Sequence, residues 1–237
     1  METMNPPKSH AKGLETSDFL PLNGTDYIEF YVGNAKQSAY YYQVAFGFEL
    51  IAYCGPETGV RDRASYVLQQ DKIRFVLTTP MHPGSEINDH ISRHGDGVKV
   101  LALWVDDAEK SWKETTARGA QSHTAPHTLK DEHGEVKLAS IHTYGDTIHT
   151  FVERKNYNGI FMPGFVAKKS RVQTTPVGLK YVDHCDILDD KVIIDILNTF
   201  YDLYEQNNIC IYNYIIYNIG LFGGYRHFLK SLVDRKS

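Results

Sequence analysis

The chain has 237 residues, of which 42% are hydrophobic and 23% are charged, and its formal net charge is −4. These values are typical of a soluble globular protein with room for one large domain or two ordinary ones. A mild negative charge without a basic block argues against nucleic acid as a partner. No run of 18 apolar residues occurs in the sequence, so we predict neither a membrane-spanning helix nor a membrane partner.

The N-terminus and the cysteines bear on the location of the protein. Residues 1–18 are polar, contain Pro6 and Pro7 and lack an apolar core, so they predict a disordered lead rather than a signal peptide. Three scattered cysteines, an odd number, indicate a reducing compartment without a disulfide framework; they are Cys54, Cys185 and Cys210. We therefore expect a cytoplasmic protein.

The first structured part predicts a strand, a helix and three further strands. The strand over 25–32 alternates polar and apolar side chains, and the helix over 35–46 carries an apolar stripe and ends at Gly47. Three more strands are predicted over 48–53, 64–69 and 73–79. This βαβββ module fills about residues 25–80.

The same order of elements recurs after a helical connector over 86–94. A strand over 98–105 leads into a helix that runs to about Arg118, with Asp106 as its predicted N-cap and Glu109 completing a capping box. Three strands are predicted over 122–129, 136–142 and 147–153. This second module fills about residues 98–155. Each half-sheet has one apolar face, so we predict an α+β fold in which the paired βαβββ modules bury those faces against each other.

Beyond the second module the pattern changes twice. Residues 156–175 contain Asn-Gly and Pro-Gly pairs and a basic run, which predicts a linker. A strand like those that open the modules then begins, GLKYVDHC at 178–185, and it carries the imidazole of His184. After Cys185 the sequence becomes rich in isoleucine, tyrosine and asparagine, so we predict that 176–237 is the start of a second domain followed by a divergent tail.

Several stretches together resemble the 4-hydroxyphenylpyruvate dioxygenase family. They are LNGTDYIEFYVGN at 22–34, GPETG at 55–59, RASYVLQQ at 63–70 and GLKYVDHC at 178–185. The resemblance is collinear over about residues 19–185. It implies the vicinal oxygen chelate fold, also called glyoxalase-like, which is built from the βαβββ modules described above. It also implies that 19–155 is an N-terminal domain and that the catalytic domain begins near 176 and is truncated in this chain.

The chemistry implied by the resemblance depends on iron. In the family, two histidines and one glutamate of the second domain bind Fe(II), the 2-oxo acid substrate 4-hydroxyphenylpyruvate chelates the metal, and O2 takes the remaining position. The product is homogentisate, in tyrosine and phenylalanine catabolism. Among the strand openers, only His184 matches a ligand position, and we assign it as a metal ligand by resemblance. His227 and Glu205 stand too close to it to complete the set, so we predict no stable iron site in this chain alone.

The resemblance places three unsuitable side chains at the ligand positions of the first two modules. Phe30 lies over His184 when the strand openers are aligned, Val100 takes the histidine position of the second module, and Thr150 takes the glutamate position. We therefore expect residues 25–155 to be a metal-free scaffold. The remaining histidines of the connector and of the last hairpin have a spacing that fits no compact metal site; they are His82, His90, His94, His142 and His149.

Two classes of function stay open on the sequence. One is an Fe(II)-dependent 4-hydroxyphenylpyruvate dioxygenase, with 4-hydroxymandelate synthase as a close enzyme alternative that shares the fold and the substrate. The other is a non-catalytic relative that serves as a scaffold or association module, with a homodimer as one form of association.

Overall fold

The computed structural model describes residues 18–183. Predictions for the lead before Asp18, for His184 and for the tail fall on residues outside this range. None of the helices in the described part of the chain is long and apolar enough to span a lipid bilayer.

The first module contains the predicted strand, helix and three strands. Its elements are β1 (Gly24–Tyr31), α1 (Ala35–Phe46), β2 (Glu49–Cys54), β3 (Arg63–Gln70) and β4 (Ile73–Pro80). The helix begins where the Asn34 side chain accepts a hydrogen bond from the Gln37 backbone N–H, and it ends at Gly47, whose φ of 71° is left-handed. A β-carbon at Gly47 would also lie 2.1 Å from the Thr175 carbonyl oxygen, so only glycine fits there.

The second module follows a connecting helix and repeats the order of the first. Its elements are α2 (Glu86–His94), β5 (Gly97–Trp104), α3 (Ala108–Ala117), β6 (Ser122–Asp131), β7 (Gly134–His142) and β8 (Ile148–Glu153), with a short β9 (Val166–Ala167) beyond it. The predicted N-cap of α3 is wrong by one residue. Asp107 accepts the capping bond from the Lys110 N–H, while the carboxylate of Asp106 accepts from Asn23.

The strands within residues 18–183 form one mixed sheet of nine strands. Its order is β6-β7-β8-β5-β1-β4-β3-β2-β9. The first strand of each module pairs in parallel with the last strand of the same module, and the two first strands, β1 and β5, pair antiparallel with each other. This arrangement confirms the predicted pair of βαβββ modules, joined along their opening strands.

The core has three parts that follow from this sheet. One face, which we call the inner face, buries apolar side chains from both modules in a single cluster that includes Tyr27, Val76 and Val100. On the opposite face, α1 packs on the first module around Phe48 and Leu77, and α3 packs separately on the second module. Helices α1 and α3 therefore each cover one module, whereas the two modules share the core of the inner face.

The segment predicted as a linker packs on the sheet. Phe161 and Met162 are 3% and 5% exposed and belong to the inner-face cluster, and β9 pairs with β2 at the edge of the sheet. Two apolar side chains thus remove part of the inner face from water, which favours their docking. The domain boundaries at 155 and 176 stay predictions.

A buried ion pair fixes the covering segment to the first strand. Asp26, on β1, accepts hydrogen bonds from Arg154 Nε at 2.6 Å and Nη2 at 2.5 Å, and Arg154 Nη1 donates to the Phe161 carbonyl at 2.7 Å. Asp26 is 3% exposed. The guanidinium therefore bridges β1 of the first module, the end of β8 and the covering segment.

Replacing Arg154 with methionine should destabilise the protein strongly. The change leaves the Asp26 carboxylate buried without its main partner, and breaking such a pair costs about 3–5 kcal/mol. Chemical denaturation of the purified chain measures the loss. Lys130→Met is the matched control, since Lys130 pairs with Glu135 at the surface and should change stability by less than about 0.5 kcal/mol. A loss of similar size in both variants would contradict the bridging role.

Candidate functional site

The inner face of the first module holds one carboxylate within a small hydrogen-bond chain. Thr78 Oγ1 donates to Glu29 Oε1 at 2.6 Å, and Ser65 Oγ lies 2.8 Å from Thr78 Oγ1. Because Thr78 gives its proton to Glu29, Ser65 is the donor in the second bond. Burial raises the pKa of Glu29, although the Thr78 hydrogen bond and the Arg63 and Lys99 charges oppose the shift.

The second module repeats this chain without its carboxylate. Ser140 Oγ lies 2.9 Å from Thr150 Oγ1, and both residues are buried. Ser140 and Thr150 face each other across β7 and β8 as Ser65 and Thr78 do across β3 and β4. On the adjoining strand the second module places Val100, which is 4% exposed within the inner-face cluster.

The structure separates the three residues that the sequence placed at ligand positions. Val100 and Thr150 lie on the inner face. Phe30 lies on the opposite face, packed edge-on against Phe75 at 5.2 Å between ring centroids and near Tyr42 of α1. Phe30, which the sequence aligned with His184, therefore does not share a face with Val100 and Thr150. Side chains along β1 alternate between the two faces, so Phe30 faces away from the side that Tyr27 and Glu29 share; the register shift at this point leaves Lys99 of β5 unpaired with β1.

A compact group of metal-ligand side chains lies outside the inner face, where α2 approaches the turn between β7 and β8. His90, His94 and Asp146 each offer one ligand atom, and these atoms all lie within 4.8 Å of one another. The prediction that the connector histidines belong to no compact site is wrong. Sequence spacing does not detect this group, because Asp146 belongs to the hairpin of the other module.

Asp146 is the centre of the polar contacts in this group. Its Oδ2 lies 2.7 Å from His94 Nε2 and also accepts from Arg93 Nη1, while its backbone carbonyl accepts from Lys99 Nζ at 2.6 Å. The hydrogen bond from His94 and the charge of Arg93 lower the pKa of Asp146. The carboxylate is therefore ionised at neutral pH.

His90 is the buried member of the group. It is 3% exposed, its ring meets Tyr31 edge-on at 5.4 Å and its Nδ1 has no hydrogen-bond partner. Burial, and then the charge of Lys99, lower the pKa of His90 to about 4. The imidazole is neutral at physiological pH and has a lone pair to donate.

The strand predicted to begin at Gly178 is absent from the described residues 178–183, which run as an extended segment beside the first module. Gln70 Oε1 accepts from the backbone N–H groups of Gly178 and Leu179, and the Lys72 N–H donates to the Lys180 carbonyl. Val182 packs against the cluster beneath α1. The first module thus fixes the backbone that leads directly to His184.

Comparison with known proteins finds relatives of the part of the chain that holds the two modules. The sequence model of the family described as "Hydroxyphenylpyruvate dioxygenase, HPPD, N-terminal" matches residues 17–165. The chain belongs to this family. Its members at 46% identity include the 4-hydroxyphenylpyruvate dioxygenase of Dictyostelium discoideum, matched over 169 residues that cover 69% of this chain and 46% of that protein. The enzyme of Tetrahymena thermophila is 44% identical over 170 residues, covering 68% of this chain and 42% of that protein.

These coverages set the scope of the resemblance. The chain spans about half the length of the curated relatives it matches. Among solved structures, a mutant of 4-hydroxymandelate synthase from Streptomyces coelicolor superposes with a TM-score of 0.57 at 24% identity, over 66% of this chain and 45% of that one. At this identity the likeness shows the fold alone. Together with the family match, it confirms the predicted vicinal oxygen chelate fold class.

Replacing Glu29 with glutamine should raise stability at pH 7.5 but not at pH 4.5. The raised pKa of Glu29 means that the folded state favours the protonated carboxyl. Its contribution to stability is complete below its pKa in the unfolded chain, about 4.3, and is lost as the pH rises through its pKa in the folded protein. Glutamine removes the buried charge and can still accept from Thr78. Thermal melts should show a gain of a few degrees at the higher pH.

The control for this experiment is Glu49→Gln, which alters an exposed glutamate of β2. It should shift the melting temperature little at either pH. An equal gain from Glu29→Gln at both pH values would show that burial of the charge is not the cause.

Proposed function

We propose that this chain takes part in the 4-hydroxyphenylpyruvate dioxygenase reaction and that residues 24–153 are its non-catalytic half. In that reaction 4-hydroxyphenylpyruvate and O2 give homogentisate and CO2 at Fe(II). The observation that carries the proposal is the closed inner face of the family's N-terminal domain, on which both modules and the covering segment form one apolar cluster. Family membership supplies the reaction, and the packing supplies the role of this half.

The residues at the iron-ligand positions of the two modules do not fit the metal. Val100 offers an isopropyl group, the hydroxyl of Thr150 is hydrogen-bonded to Ser140, and Phe30 faces away. A 2-His-1-carboxylate iron site needs two imidazoles and a carboxylate on one open face. Glu29 offers a carboxylate on this face, but it already accepts a hydrogen bond from Thr78. We therefore assign iron chemistry to the part of the family fold that follows Asp183, with His184 as the ligand.

The first module supports that assignment by holding the chain just before His184. Gln70 accepts two backbone N–H bonds from residues 178–179, and its own Nε2 donates to the Phe46 carbonyl at 2.7 Å. Lys180 Nζ lies 3.2 Å from Asp71 Oδ2. The first module thus holds residues 178–180, which come shortly before His184 in the sequence. This role is that of a positioning scaffold, which agrees with the non-catalytic alternative for these residues. Homodimer formation and a cytoplasmic location stay predictions.

Oxygen uptake tests the catalytic side of the proposal. With Fe(II), ascorbate and 4-hydroxyphenylpyruvate, we expect the 237-residue chain to consume oxygen no faster than its His184→Ala variant. The reason is that residues 24–153 add no partner for His184, and one imidazole binds Fe(II) weakly. Uptake by the intact chain that His184→Ala abolishes would contradict inactivity of the chain alone. Uptake that survives this change would contradict the ligand assignment.

A chimera tests the scaffold role directly. Residues 18–183 of this chain replace the matched N-terminal part of the Dictyostelium discoideum relative. We expect oxygen uptake with homogentisate as the product, at a rate within about tenfold of the parent, because a scaffold supplies position rather than chemistry. Thr150→Val and Glu29→Gln in the chimera should change kcat less than about twofold. A loss of about a hundredfold in either variant, with the fold intact, would place chemistry in this half, and 4-hydroxymandelate as the product would favour the synthase alternative.

A further inference from the structure

A separate feature of the domain does not depend on the proposed function. His90 and His94 are four residues apart on α2 and so lie on one face of the helix. Asp146 approaches that face from the turn between β7 and β8, and one ligand atom from each residue lies within 4.8 Å of the other two. Two imidazoles and one carboxylate form a donor set that suits zinc and other first-row divalent ions.

We propose that His90, His94 and Asp146 bind one divalent transition-metal ion. The buried ring nitrogen of His90, Nδ1, has no hydrogen-bond partner. A buried polar atom without a partner is unfavourable, and each such atom in a folded protein calls for an explanation. Coordination of the His90 ring gives this side chain a polar interaction that its apolar surroundings do not provide. The site lies outside the inner face and does not include His184.

The positions of the three backbones allow the required geometry. Zinc bonds of about 2.0–2.1 Å place tetrahedral ligand atoms about 3.4 Å apart. Reaching this spacing from the present separations needs side-chain rotations of the two more exposed residues, His94 and Asp146. The backbone of Asp146 is held by Lys99 Nζ at 2.6 Å from its carbonyl, and the start of α2 is capped by Ser85. His94 is 44% exposed at its side chain, which leaves the solvent side open for a water ligand.

Two neighbouring cations limit the affinity. Arg93 Nη1 contacts Asp146 Oδ2, and this surface contact must open when the carboxylate turns to an ion. Lys99 is fixed nearby and is only weakly offset by Glu86, whose Oε1 lies 3.8 Å from its Nζ. Repulsion from these charges makes the site weaker than a closed structural zinc site. We expect a dissociation constant on the order of 10 µM for Zn²⁺.

Isothermal titration of the full chain with ZnCl2 at pH 7.5 tests the site. His94→Gln and Asp146→Asn should each remove one bound ion, or weaken its binding at least about tenfold. Both side chains are partly exposed, so circular dichroism should show an unchanged fold. His133→Gln is the matched control, because His133 is an exposed histidine that lies 3.7 Å from the carboxylate of Glu132 in another turn. Zinc should also raise the melting temperature of the wild type and of His133→Gln more than that of the two site variants.

The stoichiometry separates this site from other zinc ligands in the chain. Ions bound elsewhere, at His184 or Cys185 for example, should be seen equally in the wild type, the control and the site variants. An unchanged number and affinity of ions in His94→Gln and Asp146→Asn would overturn the proposal. Absence of zinc binding by the wild type would also overturn it, and the group would then be a purely structural ion pair between α2 and the hairpin.

Discussion

The antiparallel pairing of β1 with β5 is the constraint on which the rest of the domain depends. It joins two half-sheets into one, so that Tyr27, Val76 and Val100 from different modules share a single core. Neither module could bury its inner face alone, since α1 and α3 cover only the opposite side. The buried bridge from Asp26 to Arg154 then closes this core, because the same guanidinium holds the carbonyl of Phe161.

Closure of the inner face agrees with the proposal that residues 24–153 carry no iron chemistry. A metal site needs side-chain ligands, an open coordination position and access for substrate. On the inner face, Val100 takes the position of a ligand, and Phe161 and Met162 of the covering segment belong to the same apolar cluster. The two modules share one polar feature on this face, a pair of hydroxyl groups hydrogen-bonded to each other within each module. The pairs are Ser65–Thr78 and Ser140–Thr150. Only the first retains a carboxylate, and burial of Glu29 disfavours its charge.

Local sequence signals predicted most helices and strands of the two modules. Features that depend on contacts between residues far apart in the sequence were not predicted. The end of α1 at Gly47 was predicted correctly, since a cap depends on residues a few positions away. The N-cap of α3 was predicted at Asp106, but the side chain of Asn23, distant in sequence, donates to that carboxylate and Asp107 caps the helix. Alternation along β1 separates Glu29 from Phe30, but only the paired sheet shows that Phe30 faces α1 and not the shared core. The sequence predicted a linker over 156–175, and Phe161 of that segment packs into the inner-face cluster through contacts with residues far away in the sequence.

The meeting of His90, His94 and Asp146 follows from the same joining of modules. The connector α2 packs against β1 and β4 of the first module, and Lys99 on β5 donates to the carbonyl of Asp146 in the hairpin. The polar contacts of Asp146 with His94 and Arg93 therefore tie the connector to a hairpin whose strands belong to the second module alone. An ion at this point would strengthen the contact that α2 already makes with the hairpin through Arg93 and His94. Metal binding there would act on the rigidity of the scaffold and leave the inner face unchanged.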